Sequence, residues 1–449
     1  MKVHENMLYY YGIIQEAIWK GRSFMTPYAK LTAEERKEEY ARLQKEFDVL
    51  KAKGLKLDMS RGKPGKAQLD IISEELYDLL NGRSDYMSDG IDVRNYGEVA
   101  GIPAAKRLFA EILRCRPEQV FVGGNASLQL MYDTIAKAYT HGLANSERPW
   151  CKEPVLKWLC PVPGYDRHFK ITESFGFEMI NIPMKADGPD MDMVEELVKD
   201  PAVKGIWCVP KYSNPDGIIY SDEVVNRMAS MKPAAKDFTI MWDNAYCVHE
   251  FEGEYVDYPS ILQLCEKYGN PDMVFEFAST SKITLPGAGV GCFATSEKNM
   301  KYMSVLTNIQ VISYDKVNQH RHVLYLQNME HTLEIMKKHA AILGPKFRTV
   351  LDTLEKEIAP LEIASWQRPH GGYFVSLNAM PGTAKRTWEL CREAGVTMTN
   401  AGATFPYGKD PQDSNLRIAP SLPPVAELEA ALAVLCVCLK LSALEVLGV

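Results

Sequence analysis

Met273-Val274-Phe275-Glu276-Phe277-Ala278-Ser279-Thr280-Ser281-Lys282 runs from an apolar segment of strand length straight into hydroxyls and an amine. The glycine-rich Pro286-Gly287-Ala288-Gly289-Val290-Gly291 follows at once. A short apolar run bounded by polar and turn residues reads as a buried strand that ends at a polar edge. The pattern recurs: Val120-Phe121-Val122, Val155 to Leu159, Gly205 to Val209, Thr239 to Trp242 and Val290 to Ala294 are comparable runs, separated by amphipathic stretches. Strands alternating with helices imply an α/β fold, with a mostly parallel sheet covered on both faces. Gly123-Gly124-Asn125, Asn214, Asp243 and Lys282 each follow one of these runs closely. Ligands of open α/β sheets bind beyond the carboxyl ends of the strands, so these positions should converge.

At 449 residues the chain exceeds what one core supports, and two domains are expected. The reading is an N-terminal extension and helix over 1–56, a large domain over 57–325 and a smaller one over 326–449. In the small unit Gly371 to Leu377 and Asn415 to Ala419 read as strands, and Val425 to Leu447 as a closing helix. A long helical stretch, His322 to Lys356, leads into it. Thr32, with Glu35 three residues on, caps a solvated helix over Leu31 to Lys53. The net charge of −7, from 51 basic and 58 acidic residues, lacks the basic footprint of a nucleic-acid binder. No segment nears the ~20 apolar residues that span a bilayer. Met1 to Met25 reads as an amphipathic extension rather than a signal peptide, because Glu5 precedes its apolar run and Glu16 interrupts it. Ten cysteines without a CxxC suit reduced thiols in a cytoplasmic protein. His320 and His322 read as helix-surface histidines, and no metal is expected.

The polar positions define a chemistry. A lysine amine attacks a carbonyl only when deprotonated, so a nucleophilic lysine sits where its pKa is depressed. Alone, Lys282 would be a surface residue, but Ser279 and Ser281 beside it can hold phosphate oxygens. Asp243 ends a buried strand and needs a partner. A helix cap or ion pair would satisfy it, as would the protonated nitrogen of a pyridine ring, which then serves as an electron sink. Tyr246 and the Asn214 amide can donate to an oxygen on the same ring. Gly123-Gly124-Asn125-Ala126-Ser127 lies between a strand and the amphipathic Leu128 to Tyr139, where helix-start amides bind anions; a plain turn is the alternative. Tyr165 offers a stacking face, with core packing as the competing explanation. Arg417, in an apolar strand, suits a bidentate grip on a carboxylate or a structural ion pair.

Taken in order, these motifs resemble the class I branch of the fold-type I pyridoxal-phosphate-dependent aminotransferases, from about Leu57 to the C-terminus. Ser60-Arg61-Gly62-Lys63-Pro64, Asn214-Pro215-Asp216-Gly217, Asp243-Asn244-Ala245-Tyr246 and Ser281-Lys282-Ile283-Thr284-Leu285-Pro286-Gly287-Ala288-Gly289 are similar to the type Ic aspartate aminotransferases. The resemblance implies a large domain with a mostly parallel, seven-stranded-type sheet sandwiched by helices, and a smaller α+β domain. It implies pyridoxal 5'-phosphate as cofactor, bound covalently to Lys282, with Asp243 on the ring nitrogen and Tyr246 and Asn214 on the ring oxygen. Gly124, Asn125, Ala126, Ser279 and Ser281 would hold the phosphate, Tyr165 would stack on the ring, and Arg417 would take the substrate α-carboxylate. Gly62 would border the substrate. Tyr96 would reach the phosphate of a neighbouring subunit, making a homodimer with shared sites. One departure stands out: relatives carry an arginine shortly after the lysine, and none is present here.

The activity implied is ping-pong transfer of an amino group between aspartate or glutamate and a 2-oxo acid, with Arg61, Lys63, Lys316 and Arg321 as candidates for the second carboxylate. An aromatic or broad-range aminotransferase is the nearest alternative. A pyridoxal-phosphate lyase is another, since Pro163-Gly164-Tyr165-Asp166-Arg167 is similar to the cyclopropane-forming synthases. A non-catalytic effector-sensing regulator domain would need a basic recognition helix that the segment before Leu57 lacks.

Overall fold

The structure, a computed structural model, describes residues 26–83 and 85–449. The amphipathic reading of residues 1–25 lies outside the described residues.

The large sheet contains β1 (Val120–Val122), β2 (Lys157–Val162), β3 (Glu178–Lys185), β4 (Gly188–Pro189), β5 (Val203–Cys208), β6 (Thr239–Asp243), β7 (Val274–Ser279) and β8 (Gly291–Ala294), in the order β1-β8-β7-β6-β5-β2-β3-β4. Strands β7, β6, β5, β2 and β3 are parallel neighbours, while β8 runs antiparallel between β7 and β1. Seven strands form the expected sheet, and the eighth is a two-residue edge strand that hairpins back from β3. Sequence periodicity missed β3 because it mixes Asn181, Pro183 and Lys185 with apolar residues, as strands near a sheet edge do.

Side chains alternate faces along β7. Phe275 and Phe277 join Phe121, Phe293, Trp158 and Trp207 on one side, while Val274 and Ala278 join Val122, Ile206, Ile240 and Trp242 on the other. Burying each such side chain contributes roughly 1.5–3 kcal/mol, so the sheet is a rigid platform. Since β8 is antiparallel to β7, residues 280–290 return along the carboxyl edge instead of crossing the sheet. That return loop carries Lys282.

A second apolar cluster joins α1 (Ala33–Ala52), through Leu43, Phe47 and Leu50, to the C-terminal helix and to a three-stranded antiparallel sheet of β9 (Ala364–Trp366), β10 (Val375–Ala379) and β11 (Asn415–Ile418). The capping box forms as expected: Thr32 Oγ1 accepts the Glu35 N–H at 3.3 Å and the Glu35 carboxylate accepts the Thr32 N–H at 2.8 Å. Leu57–Asp58 pairs in parallel with Val396–Thr397, which brings Ser60 to Gly62 against the small sheet.

Two expectations are corrected. The stretch from His322 to Lys356 is not one helix, because a helix over Lys316–Leu326 ends at Gln327 (φ +58°) and Asn328 caps a new one, Met329–Glu357, accepting the His331 N–H at 2.9 Å. His320 and His322 are buried rather than on the surface, because the first of these helices packs over the Lys282 loop. There His322 Nε2 meets Thr284 Oγ1 at 2.9 Å, and burial pushes its pKa down to about 4. No described helix is long and apolar enough to cross a membrane.

Candidate active site

The carboxyl ends of β2, β5, β6 and β7, with the helix that follows β1, surround a cleft of about 610 Å³ closed on its far side by the small sheet. Asp243, the last residue of β6, is 3% exposed. Its Oδ2 accepts a hydrogen bond from His168 Nε2 at 3.0 Å, and the His168 ring stacks on Trp207 with centroids 4.5 Å apart. Its other oxygen, Oδ1, is buried with no hydrogen-bond partner among the described residues. A buried polar atom left unpaired costs about 1–3 kcal/mol, and more when charged. The oxygen therefore calls for a donor entering from the cleft, and a ring N–H cation is such a donor. The next residue, Asn244, donates through Nδ2 to Glu276 Oε1 at 2.8 Å. Burial pushes the Glu276 carboxyl up to about 8, so it stays neutral near pH 7.

Lys282 closes a 3-10 turn, Thr280–Lys282, capped by the Ser279 side chain. The Thr280 N–H bonds Val290 O, and Thr280 Oγ1 accepts the Val290 N–H, both at 2.9 Å, which pins the loop shut at its base. The Lys282 amine lies 5.1 Å from the Tyr246 ring centroid and 5.8 Å from that of Tyr373. Burial lowers its pKa while the Asp243 charge opposes the shift. A larger fraction of free amine follows, and the free amine is the form that can act as a nucleophile or a base. Burial raises the Tyr246 phenol, keeping it a hydrogen-bond donor.

Groups that could hold an anion line the same cleft. Ser279 Oγ and Ser281 Oγ lie 3.0 Å apart. Opposite them starts a helix, Ser127–His141, whose N-cap Ala126 supplies no side-chain cap, so its first amides are open to an anion. Close backbone approach makes this possible: a Cβ at Gly291 would come within 2.9 Å of the Ala126 carbonyl carbon. Ala126 and Ser127 line the cleft. Gly124 and Asn125 do not; they form the loop behind it, Gly124 at φ +67° with its carbonyl accepting the Gly291 N–H, and Asn125 exposed.

Arg417 projects from β11 and is 6% exposed. Its Nη1 donates to Asp166 Oδ1 at 2.9 Å and Asn214 Oδ1 at 3.1 Å, and Nε and Nη2 reach Thr399 Oγ1 at 3.3 and 3.2 Å. The Phe374 ring lies 4.7 Å from the guanidinium carbon. Gly62 explains how that ring fits, since a Cβ there would meet it at 2.6 Å. Tyr165 lines the cleft edge-on to His168, centroids 4.9 Å apart.

Of the candidates for a second carboxylate, only Arg61 lines the cleft. Buried Lys316 instead donates to the carbonyls of Asn95 and Gly97 and so holds the loop that presents Tyr96, which is 78% exposed and outside the cleft. Arg321 bonds Asn318 Oδ1 at 2.6 Å and covers the Tyr77 ring, and Lys63 is exposed beyond the cleft. Sequence reasoning missed His168, Asp166, Arg167, Thr399 and Phe374. The one available signal was the cluster of polar side chains immediately after Tyr165.

The sequence model of the aspartate amino-transferase family matches residues 31–448. An aspartate aminotransferase of Corynebacterium glutamicum is 49% identical over 404 residues, spanning 90% of this chain and 93% of that protein. The crystal structure of an aspartate transaminase from the same organism superposes with a TM-score of 0.91 at 48% identity, over 94% of this chain and 99% of that one. LysN, an α-aminoadipate aminotransferase of Thermus thermophilus complexed with N-(5'-phosphopyridoxyl)-L-leucine, shares the fold at a TM-score of 0.70 and 20% identity, over 88% of this chain and 94% of that one.

Proposed function

Since this chain belongs to the aspartate aminotransferase family, we propose that it uses pyridoxal 5'-phosphate to move the amino group of aspartate or glutamate to a 2-oxo acid. The observation that carries this reading is the unpaired, buried Asp243 Oδ1 in the same cleft as the Lys282 amine. Bound there, the cofactor supplies an electron sink for the pair released when the substrate Cα–H bond breaks. Asp243 holds the ring nitrogen protonated, and His168, braced by Trp207, fixes the carboxylate for that task. Tyr246 and Asn214 would donate to the ring oxygen, and Tyr165 would offer its face to the ring.

The Ser279 and Ser281 hydroxyls and the amides from Ala126 onward would hold the phosphate, with the Gly124-Asn125 loop backing them. The partial positive charge of the helix start stands in for the absent arginine. Arg417 takes the α-carboxylate at the wall bordered by Gly62. Lys282 Nζ would take the substrate Cα proton as a base and hold it for return as an acid. The second substrate reverses the sequence, which gives ping-pong kinetics.

We divide the chain into a large unit over 57–325 and a small one over 326–449 that residues 26–56 join; two apolar clusters support this, with Ile335 and Met336 packing into the first and Tyr246 and Phe251 into the second across the boundary. A homodimer is supported by Tyr96 and by an exposed apolar ridge, Val305, Ile309 and Ile312, which are 61%, 79% and 61% exposed. Tyr96 then reaches the phosphate of the neighbouring site. Reduced, mostly buried cysteines favour the cytoplasm.

Preference for acidic substrates rests on the cleft's cations. Besides Arg417, the guanidinium groups of Arg61 and Arg167 line it, and neither has an ion-pair partner among the described residues. A charged hydrogen bond is worth about 1.5–3 kcal/mol. The kcat/KM for aspartate and glutamate should therefore exceed that for alanine and phenylalanine by about 10- to 100-fold, and the double variant Arg61→Met, Arg167→Met should erase most of the gap. A wild-type preference for phenylalanine or alanine would remove the acidic assignment.

A further inference from the structure

We propose that Asp166 is an internal substitute for the substrate carboxylate on Arg417, and that every acid entering the site must displace it. The inference rests on the reading of Arg417 as the carboxylate-binding residue and adds what that reading lacks, the occupant of the position before substrate arrives.

A guanidinium has five N–H donors in a fixed fork. Here Nε–H and one Nη2–H share Thr399 Oγ1, and the two Nη1 hydrogens go to Asn214 Oδ1 and Asp166 Oδ1. A single Nη2–H is left over. A bidentate grip needs two parallel N–H groups, so a substrate carboxylate finds too few donors while Asp166 stays. Thr399 and Asn214 are neutral; Asp166 is the one anion paired with Arg417 among the described residues.

Burial shows which partner yields. The Arg417 side chain is 6% exposed and that of Asp166 is 29% exposed, so the arginine is fixed in the wall while the carboxylate stands on the solvent side. Two carboxylates cannot share the guanidinium without like-charge repulsion. Asp166 has somewhere to go: it is the first residue of the helix Asp166–Ser174, whose start favours a negative charge, and Arg167 beside it lines the cleft unpaired. In the free protein Asp166 neutralises a buried cation that would otherwise be uncompensated. On binding, one carboxylate replaces another, so the gain in affinity is a difference between two similar contacts. Asp166 thereby holds affinity for acids below what Arg417 could give, and speeds their release.

The test uses holoenzyme and succinate, an unreactive dicarboxylate. Asp166→Asn keeps the size and the acceptor oxygen but removes the charge. Its Kd for succinate by calorimetry, and its KM for aspartate, should fall about tenfold, with kcat moving less than KM. Succinate should also raise the unfolding temperature of this variant more than that of wild type, a readout independent of turnover. Asp166→Ser should behave alike if the asparagine variant folds poorly. Equal or weaker succinate binding in both variants would overturn the proposal, since Asp166 would then be orienting Arg417 or contacting the ligand. Arg417→Lys separates the two layers. If it leaves succinate binding unchanged, the carboxylate reading of Arg417 itself fails; if it abolishes binding while the Asp166 variants show no tightening, only the exchange fails.

Discussion

Lys282→Ala should lower the transamination rate by on the order of 10⁴-fold, and small primary amines added to the assay should restore part of it. The magnitude follows from what else lines the cleft. The remaining cations there, Arg61, Arg167 and Arg417, are guanidinium groups that do not give up a proton near neutral pH. His168 is committed to Asp243 at 3.0 Å, and burial keeps the Tyr246 phenol protonated. Removing the amine therefore takes away the one primary amine that lines the cleft among the described residues, and leaves Asp243 held by His168 and Asp166 held by Arg417. The pinned loop, with its paired Thr280 and Val290 bonds, does not depend on the Lys282 side chain, so the unfolding temperature should stay near that of wild type. Steady-state assays with and without methylamine check this. Repeated turnover by the alanine variant without added amine would assign the proton transfer to another residue.

Asp243→Asn should cost about 10²- to 10⁴-fold in kcat/KM. The wild-type carboxylate presents one oxygen to His168 and leaves the other free for a ring nitrogen. Asparagine fills the same volume without the charge, and its amide can serve that nitrogen only as a neutral partner. Losing one member of a buried charge pair costs about 3–5 kcal/mol, and 1.36 kcal/mol is tenfold in rate. Affinity for pyridoxal phosphate, followed by fluorescence titration, should fall in parallel, because the same pair holds the ring in the ground state. A loss below tenfold in rate would mean that Asp243 is a structural partner of His168 and no more.

Much of this arrangement was legible in the amino-acid order, for a physical reason. Apolar runs of strand length fix the sheet, and a strand's end fixes where the next polar residue emerges. Lys282, Asp243, Asn214 and Tyr246 could thus be assigned to one edge, and all four line one cleft. Arg417 was legible because a guanidinium in an apolar strand demands an anion. What that anion is could not be read: Asp166 lies 251 positions away, and a contact made only by tertiary folding leaves no local periodicity. His168 was hidden likewise, since its partner Asp243 is 75 residues on. Strand β3, one in from the sheet edge, was missed because its two faces are not cleanly segregated, and the break at Gln327 because a left-handed residue other than glycine carries no composition signal. Of the three positions read from the turn before the helix, Ala126 lines the cleft, while Gly124 and Asn125 form the loop behind it, a distinction that a turn motif does not carry.

Reduction with borohydride after reconstitution with pyridoxal phosphate, followed by mass mapping of the peptides, bears most directly on the claim that the Lys282 amine and Asp243 together hold the cofactor. The expected result is one phosphopyridoxyl group per chain, on Lys282, with labelling strongly reduced in Asp243→Asn at limiting cofactor. Absence of label, or label confined to other lysines, would contradict it.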